Sequence, residues 1–138
     1  IEKIVKEYGY EVVHKIILPD ERKLLSDEMK RIADENIADL ILTTGGTGFS
    51  PRDWKPEATM DICERIVPGI PEAMRAYSLS ITKRAMLSRA TAGIRKETLI
   101  INMPGSPKAV NECLEYIISE LDHGLKILKG IESNCARK

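Results

Sequence analysis

The apolar positions of the chain switch repeatedly between helical and strand-like spacing. Those in residues 1–8 recur every three or four positions, and Gly9 is placed to end that helix as a C′ residue. A denser apolar run over 12–18 predicts a strand that ends at Pro19-Asp20. Residues 21–36 return to helical spacing and predict a second helix, for which Asp20 would also serve as an N-cap.

The second half of the chain continues this alternation. It predicts a strand over 39–44, short helices beginning at Pro56 and Pro68, a strand over 98–103 and an amphipathic helix over 106–121 with Ser106 as N-cap. Residues 81–93 fit extended pieces and a hairpin. Strands that alternate with helices are typical of α/β folds with parallel sheets. We therefore expect one α/β domain over 1–138 in which helices cover both faces of a mostly parallel sheet.

Three of the predicted strands end in turns with distinctive chemistry. The turns are residues 17–20, 43–48 and 102–106. In open parallel sheets, ligands bind outside the carboxyl ends of the strands. If the strands are parallel, the three turns lie at one edge of the sheet and form a single site.

The residue types in these turns indicate the ligand. The stretch Thr43–Asp53 reads TTGGTGFSPRD, and its glycines let backbone N–H groups approach a ligand closely. A strand followed by a glycine-rich turn and a helix N-terminus is a usual phosphate site, and residues 104–107 repeat that arrangement. Asp20 and Asp53 add negative charge, which a Mg²⁺ ion would reconcile with phosphate. We expect a phosphate-bearing ligand with Mg²⁺, most simply a nucleotide.

Composition and charge narrow the functional classes. Lys+Arg and Asp+Glu number 21 each, so the chain lacks the overall positive field of nucleic-acid or membrane-surface proteins. Residues 75–96 contain six basic residues and no acidic one, which favours a small anionic ligand or an ordinary solvated face. Cys63, Cys113 and Cys135 lie far apart and predict reduced thiols rather than disulfides or a zinc site. With no apolar run long enough to span a bilayer, we expect a cytoplasmic protein.

Two common nucleotide-binding motifs are excluded. A Walker A loop requires Gly-Lys followed by Ser or Thr near its end, and this sequence is not found in the chain. A dinucleotide fingerprint requires a third glycine where Pro51 stands after Gly46-Thr47-Gly48. A P-loop NTPase is therefore excluded, and a hydride-transfer enzyme is disfavoured.

Several blocks of sequence together resemble one known family. They are LILTTGGTGFSPRDWKPEAT, PGIPEAMRAYSL, AMLSRATAGIR and TLIINMPGSPKAVNECL, in that order. The chain resembles, over about 9–130, the molybdopterin adenylyltransferase family, which includes bacterial MogA and MoaB and the G domains of gephyrin and plant Cnx1. The resemblance implies a three-layer α/β fold, a trimer or hexamer, and transfer of AMP from ATP to molybdopterin with Mg²⁺ and release of pyrophosphate.

The resemblance also implies roles for individual residues. Asp20 and Asp53 match carboxylates needed for activity, and we expect both to organise Mg²⁺ and phosphate rather than to act as bases. Further residues match loops that contact nucleotide or pterin: Thr44, Gly45, Gly46, Thr47, Gly48, Ser88, Arg89, Pro104, Gly105 and Ser106. A molybdenum insertase is a further partner that the family suggests.

The resemblance leaves more than one interpretation of the chain and its function open. The family normally begins with a strand and a serine-aspartate loop that this chain lacks, so we expect an N-terminal strand to be missing. A non-catalytic member would bind molybdopterin, or act as a scaffold, without turnover. A third interpretation is the related fold found as one domain of molybdenum insertases and competence-damage proteins. The presence of both Asp20 and Asp53 favours the active transferase.

Overall fold

Helices and strands alternate through residues 1–131, the part of the chain that the computed structural model describes. The helices are α1 (Glu2–Glu7), α2 (Arg22–Asp34), α3 (Lys55–Ile62), α4 (Gly69–Leu79) and α5 (Pro107–Leu128), with a 3₁₀ helix over Lys83–Leu87. The strands are β1 (Leu40–Thr44), β2 (Arg65–Ile66), β3 (Ala92–Arg95) and β4 (Thr98–Met103). The predicted helices are thus confirmed, as are the strands predicted over 39–44 and 98–103.

The strands form one sheet in the order β1-β4-β3-β2. β1 pairs with β4 in parallel, whereas β4 with β3 and β3 with β2 pair antiparallel. The α/β class is confirmed, but within the described sheet the pairing is mixed rather than mostly parallel. The reason is the short turn at Lys96-Glu97, where Lys96 adopts a φ of 51° and returns β3 directly into β4.

The central strand β4 supplies side chains to both faces of the sheet. Its odd-numbered residues Leu99, Ile101 and Met103 pack in one buried cluster with α1, α4 and α5. Ile100 packs on the opposite face with residues of α2 and α3. This alternation follows from the two-residue period of a strand. The sheet is therefore covered by helices on both faces, and the expected three-layer arrangement is confirmed.

α5 and α2 differ in how their N-termini are capped. Ser106 caps α5 as predicted, because its Oγ accepts a hydrogen bond from the Ala109 N–H at 3.5 Å. The N-cap of α2 is Glu21, and no side chain caps that helix. The capping role considered for Asp20 is therefore wrong.

The strand predicted over 12–18 is wrong. These residues adopt no regular secondary structure and make no backbone hydrogen bond with another residue of 1–131. A cavity of about 860 Å³ lies between this segment and β1, and Ile17 is 96% exposed. An apolar run becomes a strand only where a neighbour accepts and donates its backbone hydrogen bonds, and β1 lies across the cavity rather than beside it.

Candidate functional site

The loops that follow β1 and β4 meet at the carboxyl ends of this parallel pair. The N–H of Gly45 donates to the carbonyl of Met103 at 3.2 Å, and Thr44 Oγ1 donates to the carbonyl of Pro104 at 2.8 Å. A Cβ atom placed on Gly105 would lie 3.3 Å from the Cα of Gly45. The absence of a side chain at Gly105 is what permits this approach. Two of the three turns grouped by the sequence therefore form one surface.

The first of these loops, residues 45–48, depends on glycine for its path. Gly45 and Gly46 have φ values of 78° and 70°, in the left-handed region that other residues rarely adopt. A Cβ atom on Gly46 would also lie 2.7 Å from Cγ of Lys55. Thr47 is buried and its carbonyl accepts a hydrogen bond from the N–H of Arg89 at 2.8 Å. The backbone of this loop is thus fixed from both sides.

Asp53 closes the loop with one carboxylate oxygen and leaves the other available. Its Oδ2 accepts a hydrogen bond from the N–H of Ser50 at 2.9 Å, and its own N–H donates to the carbonyl of Ser50 at 2.9 Å. Its Oδ1 accepts no hydrogen bond from residues 1–131. A carboxylate oxygen left without a hydrogen bond on a half-buried side chain is a suitable donor to Mg²⁺, which prefers oxygen ligands.

Arg89 holds the glycine loop in place. Its guanidinium donates to the carbonyl of Gly48 at 2.7 Å, to the carbonyl of Asp53 at 2.5 Å and to Glu57 Oε2 at 2.6 Å. Hydrogen bonding from Arg89 is the main reason that the pKa of Glu57 is lowered. All three guanidinium nitrogens are therefore engaged within the protein. The geometry therefore supports a role for Arg89 in positioning the glycine loop.

Asp20 lies near a lysine, Lys55, that the sequence analysis did not single out. Asp20 is exposed and lines the cavity beside β1 with Thr44 and Lys55. Lys55 Nζ donates to the carbonyl of Thr44 at 3.0 Å. Burial lowers the pKa of Lys55, and the negative charge of Asp20 opposes that shift. Lys55 escaped notice because its partners become neighbours only when β1 and α3 pack.

A second cavity, of about 310 Å³, lies between the glycine loop, α4, the 3₁₀ helix and α5. Thr47, Gly48, Ser88 and Pro104 are among the residues that line it. Ser88 and Pro104, which the resemblance assigns to the same ligand site as the glycine loop, therefore do lie beside part of that loop. Asp20 and Thr44 line the larger cavity instead, and the other candidate residues line neither cavity.

Beneath the site lies a buried asparagine that sequence reasoning did not single out for its side chain. The amide nitrogen of Asn102 donates to Thr43 Oγ1 at 3.0 Å and to Thr59 Oγ1 at 2.9 Å. Its Oδ1 accepts from the N–H of Thr91 at 3.1 Å. The available signal was one amide among the apolar residues of β4. This amide joins β1, α3 and the segment before β3 directly below the loops.

Much of the basic block over 75–96 serves the fold. Arg95 donates to both carboxylate oxygens of Asp34, and Lys96 Nζ lies 3.2 Å from the same carboxylate. Arg75 donates to the carbonyl of Ala90 at 2.8 Å. These cations therefore already have partners, which weakens the expectation that the block as a whole binds an anion.

The remaining sequence expectations concern metals, thiols and membranes. Within residues 1–131 no group of three or more His, Cys, Asp or Glu side chains is arranged to hold a metal ion. Cys63 and Cys113 are free thiols, and burial raises the pKa of Cys63 to about 11, while Cys135 lies outside the described residues. None of the described helices has the length and apolar character to cross a bilayer.

Comparison with known proteins identifies the family. The profile of a family described as a probable molybdopterin binding domain matches residues 1–123. The molybdopterin adenylyltransferase of Helicobacter pylori J99 is 41% identical over 132 residues, which cover 94% of this chain and 75% of that protein.

Solved structures agree with the sequence comparison. The molybdopterin biosynthesis enzyme MoaB of Thermus thermophilus is 41% identical with a TM-score of 0.79, and the match covers 94% of this chain and 84% of that one. The Mog protein of Mycobacterium ulcerans is 30% identical with a TM-score of 0.87, and covers 94% and 83% respectively. The chain therefore belongs to the family of probable molybdopterin binding domains that act in molybdenum cofactor biosynthesis.

Proposed function

We propose that this chain is a nucleotidyltransferase that transfers AMP from Mg²⁺-bound ATP to molybdopterin, with release of pyrophosphate. The observation that carries the proposal is the junction of two loops, residues 45–48 and residues 104–106, at the carboxyl ends of β1 and β4. Such a junction presents backbone N–H groups and a helix N-terminus to a phosphorylated ligand. The name of the Helicobacter pylori relative, molybdopterin adenylyltransferase, supports the same reaction.

The reaction places limited chemical demands on the protein. The terminal phosphate of molybdopterin would attack the α-phosphate of ATP, and a phosphate nucleophile is already ionised and requires no base. The protein must align the two phosphates and neutralise their charge. The N–H of Gly45 is already bonded to the Met103 carbonyl, so the backbone amides of residues 46–48 and the N-terminus of α5 would do that work, with Gly105 and Ser106 in the loop before α5.

Asp53 and Asp20 would hold the Mg²⁺ ion together with phosphate oxygens. Mg²⁺ commonly takes only one or two carboxylates and completes its shell with water and phosphate, so a cluster of three protein ligands is not required. When bound, the ion would neutralise charge that develops on the phosphates. Oδ1 of Asp53 and the exposed carboxylate of Asp20 are chemically suited to this role.

The cavity beside Ser88 is the proposed pterin site. Its volume of about 310 Å³ is at the lower end of the usual size of small-molecule sites, about 300–1,000 Å³. Thr47 and Gly48 form its wall toward the glycine loop, so a pterin bound there would direct its phosphate toward the ATP site. Arg89 would contribute by fixing that wall.

The proposal extends to assembly and location. Exposed apolar side chains, among them Phe49, Ile66 and Met86, support a homo-oligomer, either a trimer or a hexamer. A molybdenum insertase is the proposed consumer of the adenylylated product. The free thiols of Cys63 and Cys113 support a reducing compartment such as the cytoplasm.

One observation favours a second candidate function, a family member that binds molybdopterin without turnover. Asp20 lines the 860 Å³ cavity, whereas Asp53 lines neither that cavity nor the one beside Ser88. If the two carboxylates never reach one metal ion, the chain would bind pterin in the 310 Å³ cavity and act as a scaffold.

Titration calorimetry with Mg-ATP, followed by a pyrophosphate-release assay with molybdopterin, tests the transferase. Asp53→Asn keeps an acceptor for the Ser50 N–H but loses the anionic oxygen, so we expect turnover to fall by about 100-fold or more with the fold intact. Asp27→Asn, on the exposed side of α2, is the matched control and should keep full turnover. Pterin binding by the unaltered protein without ATP binding or pyrophosphate release would replace the transferase with the scaffold.

A further inference from the structure

Lys55 is the first residue of α3, and its side chain runs back along the glycine loop. Its N–H donates to the carbonyl of Gly46 at 3.2 Å, and its Cβ and Cγ lie close to Gly46. Its Nζ reaches the carbonyl of Thr44 at 3.0 Å. Both ends of Lys55 are therefore attached to the loop at the end of β1.

The pairing of β1 with β4 shows which way this ammonium group faces. The N–H of Leu99 donates to the carbonyl of Asp39, and the N–H of Gly45 donates to the carbonyl of Met103. In a parallel pair, alternate residues of a strand turn their backbone groups toward the same neighbour, so residues 39, 41, 43 and 45 face β4. Thr44 faces the opposite way, into the cavity that Asp20 also lines. Lys55 Nζ lies on that open side.

The positive charge of Lys55 has no partner of opposite charge in contact. Within residues 1–131, no carboxylate oxygen lies within 4 Å of Nζ, and a carbonyl uses only one of its three N–H donors. Neighbouring cations differ in this respect, because Arg89 pairs with Glu57 and Arg22 pairs with Asp61. A half-buried ammonium group costs free energy unless an anion or several acceptors surround it.

We propose that Lys55 binds a phosphate oxygen of the ligand held by the glycine loop. This inference rests on the proposed function, and it adds a cationic side chain to the backbone amides, carboxylates and Mg²⁺ proposed for the site. A lysine acts as a compact charge that can follow a phosphate through small movements. The phosphate could belong to the nucleotide or to molybdopterin, and the experiment below separates these sources.

A purely structural role is the competing explanation, since Lys55 also bonds the carbonyl of Thr44. Three substitutions separate the two. Lys55→Gln keeps a donor for the carbonyl and loses the charge, Lys55→Arg keeps the charge, and Lys55→Met keeps only the packing of the stem against Gly46. Lys23→Gln removes a lysine from the exposed face of α2 and is the control for net charge.

The test is calorimetric titration of the full chain with Mg-ATP, inorganic pyrophosphate and molybdopterin, each at low and at moderate salt. We expect Lys55→Gln and Lys55→Met to weaken binding of the relevant phosphate by about 10- to 100-fold, the usual range for a hydrogen bond to a charged group. The salt dependence of binding should become shallower. Lys55→Arg should stay within about threefold of the unaltered protein, and thermal unfolding should be unchanged by Lys55→Arg and Lys55→Gln.

Loss of binding for ATP and pyrophosphate places Lys55 on the nucleotide, and loss confined to molybdopterin places it on the pterin phosphate. Unchanged affinity of Lys55→Gln for all three ligands would overturn the inference. Equal losses of affinity in Lys55→Gln and Lys55→Arg, with a lowered melting temperature, would also overturn it, because they would indicate a structural role. The same holds if the unaltered protein binds none of the ligands. Charge-dependent binding without pyrophosphate release would leave Lys55 assigned and reject the transferase. Equal turnover and equal KM for the unaltered protein and Lys55→Gln would instead reject the role of Lys55 and keep the transferase.

Discussion

At the scale of single residues, Asn102 shows how a buried polar side chain can connect a site to its scaffold. The residue is fully buried, yet its amide has partners on β1, on α3 and in the segment before β3. A buried amide whose hydrogen bonds are all made contributes modestly to the free energy of unfolding, whereas its removal leaves several buried groups without partners. Substitution of Asn102 should therefore cost more stability than its hydrogen bonds contribute.

We expect Asn102→Leu to lower the free energy of unfolding by about 3 kcal/mol, because Thr43, Thr59 and the Thr91 N–H would each lose a partner. Urea denaturation followed by circular dichroism measures the change. Asn111→Leu, at an exposed position of α5, is the control and should change stability by less than about 0.5 kcal/mol. Equal effects at the two positions would show that the network adds nothing.

Gly46 illustrates a constraint of a different kind, because both its backbone and its surroundings require glycine. Its φ is 70°, and an added Cβ would meet Lys55. We expect Gly46→Ala to destabilise the protein by about 1–2 kcal/mol. Gly124→Ala provides the contrast, since a Cβ at that position of α5 meets nothing within 4 Å and alanine should stabilise the helix by about 0.5–1 kcal/mol. Melting curves of the two variants should therefore shift in opposite directions.

At the scale of the elements, an ion pair joins the end of α2 to β3. Asp34 accepts hydrogen bonds from Arg95 at 2.7 and 3.1 Å, and these bonds, with Lys96, lower the pKa of Asp34 to about 2 from its usual 3.8. Arg95 also donates to the carbonyl of Ile62 at the end of α3. Three elements therefore meet at one guanidinium group.

The lowered pKa of Asp34 fixes the sign of a pH effect. Its stabilising contribution is complete above the unfolded pKa near 3.8 and is lost as pH falls toward the folded pKa of about 2. We expect Asp34→Asn to melt below the unaltered protein at pH 7 and the difference to shrink between about pH 4 and pH 2. Calorimetric melting across this range measures it. A difference that stays constant down to about pH 2 would assign the effect to packing.

The elements differ in how far the sequence alone could predict them. The stripe of α5 and the capping geometry of Ser106 are local features, so the chain itself specifies them. The segment 12–18 has an equally apolar pattern but is not a strand, because strand formation depends on a distant partner. The antiparallel hairpin of β3 and β4 depends on the left-handed Lys96, a residue type that gives no warning of such a turn.

At the scale of the whole molecule, the same distinction separates what could be predicted of the site. The glycine loops were recognisable because their chemistry lies within a few consecutive residues. The positioning contacts of Arg89 and the involvement of Lys55 were not predicted, because their contacts with Gly48, Asp53 and Thr44 join positions separated by as many as 41 residues. Residue type predicts a ligand class, whereas only the packed sheet shows which cations already have partners.

The sheet itself is closed along one side of β1 and open along the other. Thr43 directs its backbone N–H toward β4, whereas Leu42 and Thr44 direct theirs toward the 860 Å³ cavity. Backbone groups on that side have no backbone partner within residues 1–131. Apolar side chains of the 12–18 segment and of β1 line much of the cavity, together with polar ones such as His14 and Lys15, so the edge is open to solvent and only partly screened by apolar surface.

This asymmetry predicts different hydrogen exchange at neighbouring residues of one strand. In native-state exchange measured by NMR, the amide of Leu42 should exchange at least about 100-fold faster than that of Thr43, because only the latter is bonded within the sheet. The amide of Ile101, at the centre of β4, is the internal reference for full protection. Equal protection of Leu42 and Thr43 would mean that the open edge is covered in solution. Repeating the measurement at several protein concentrations would then show whether a second copy of the chain covers it.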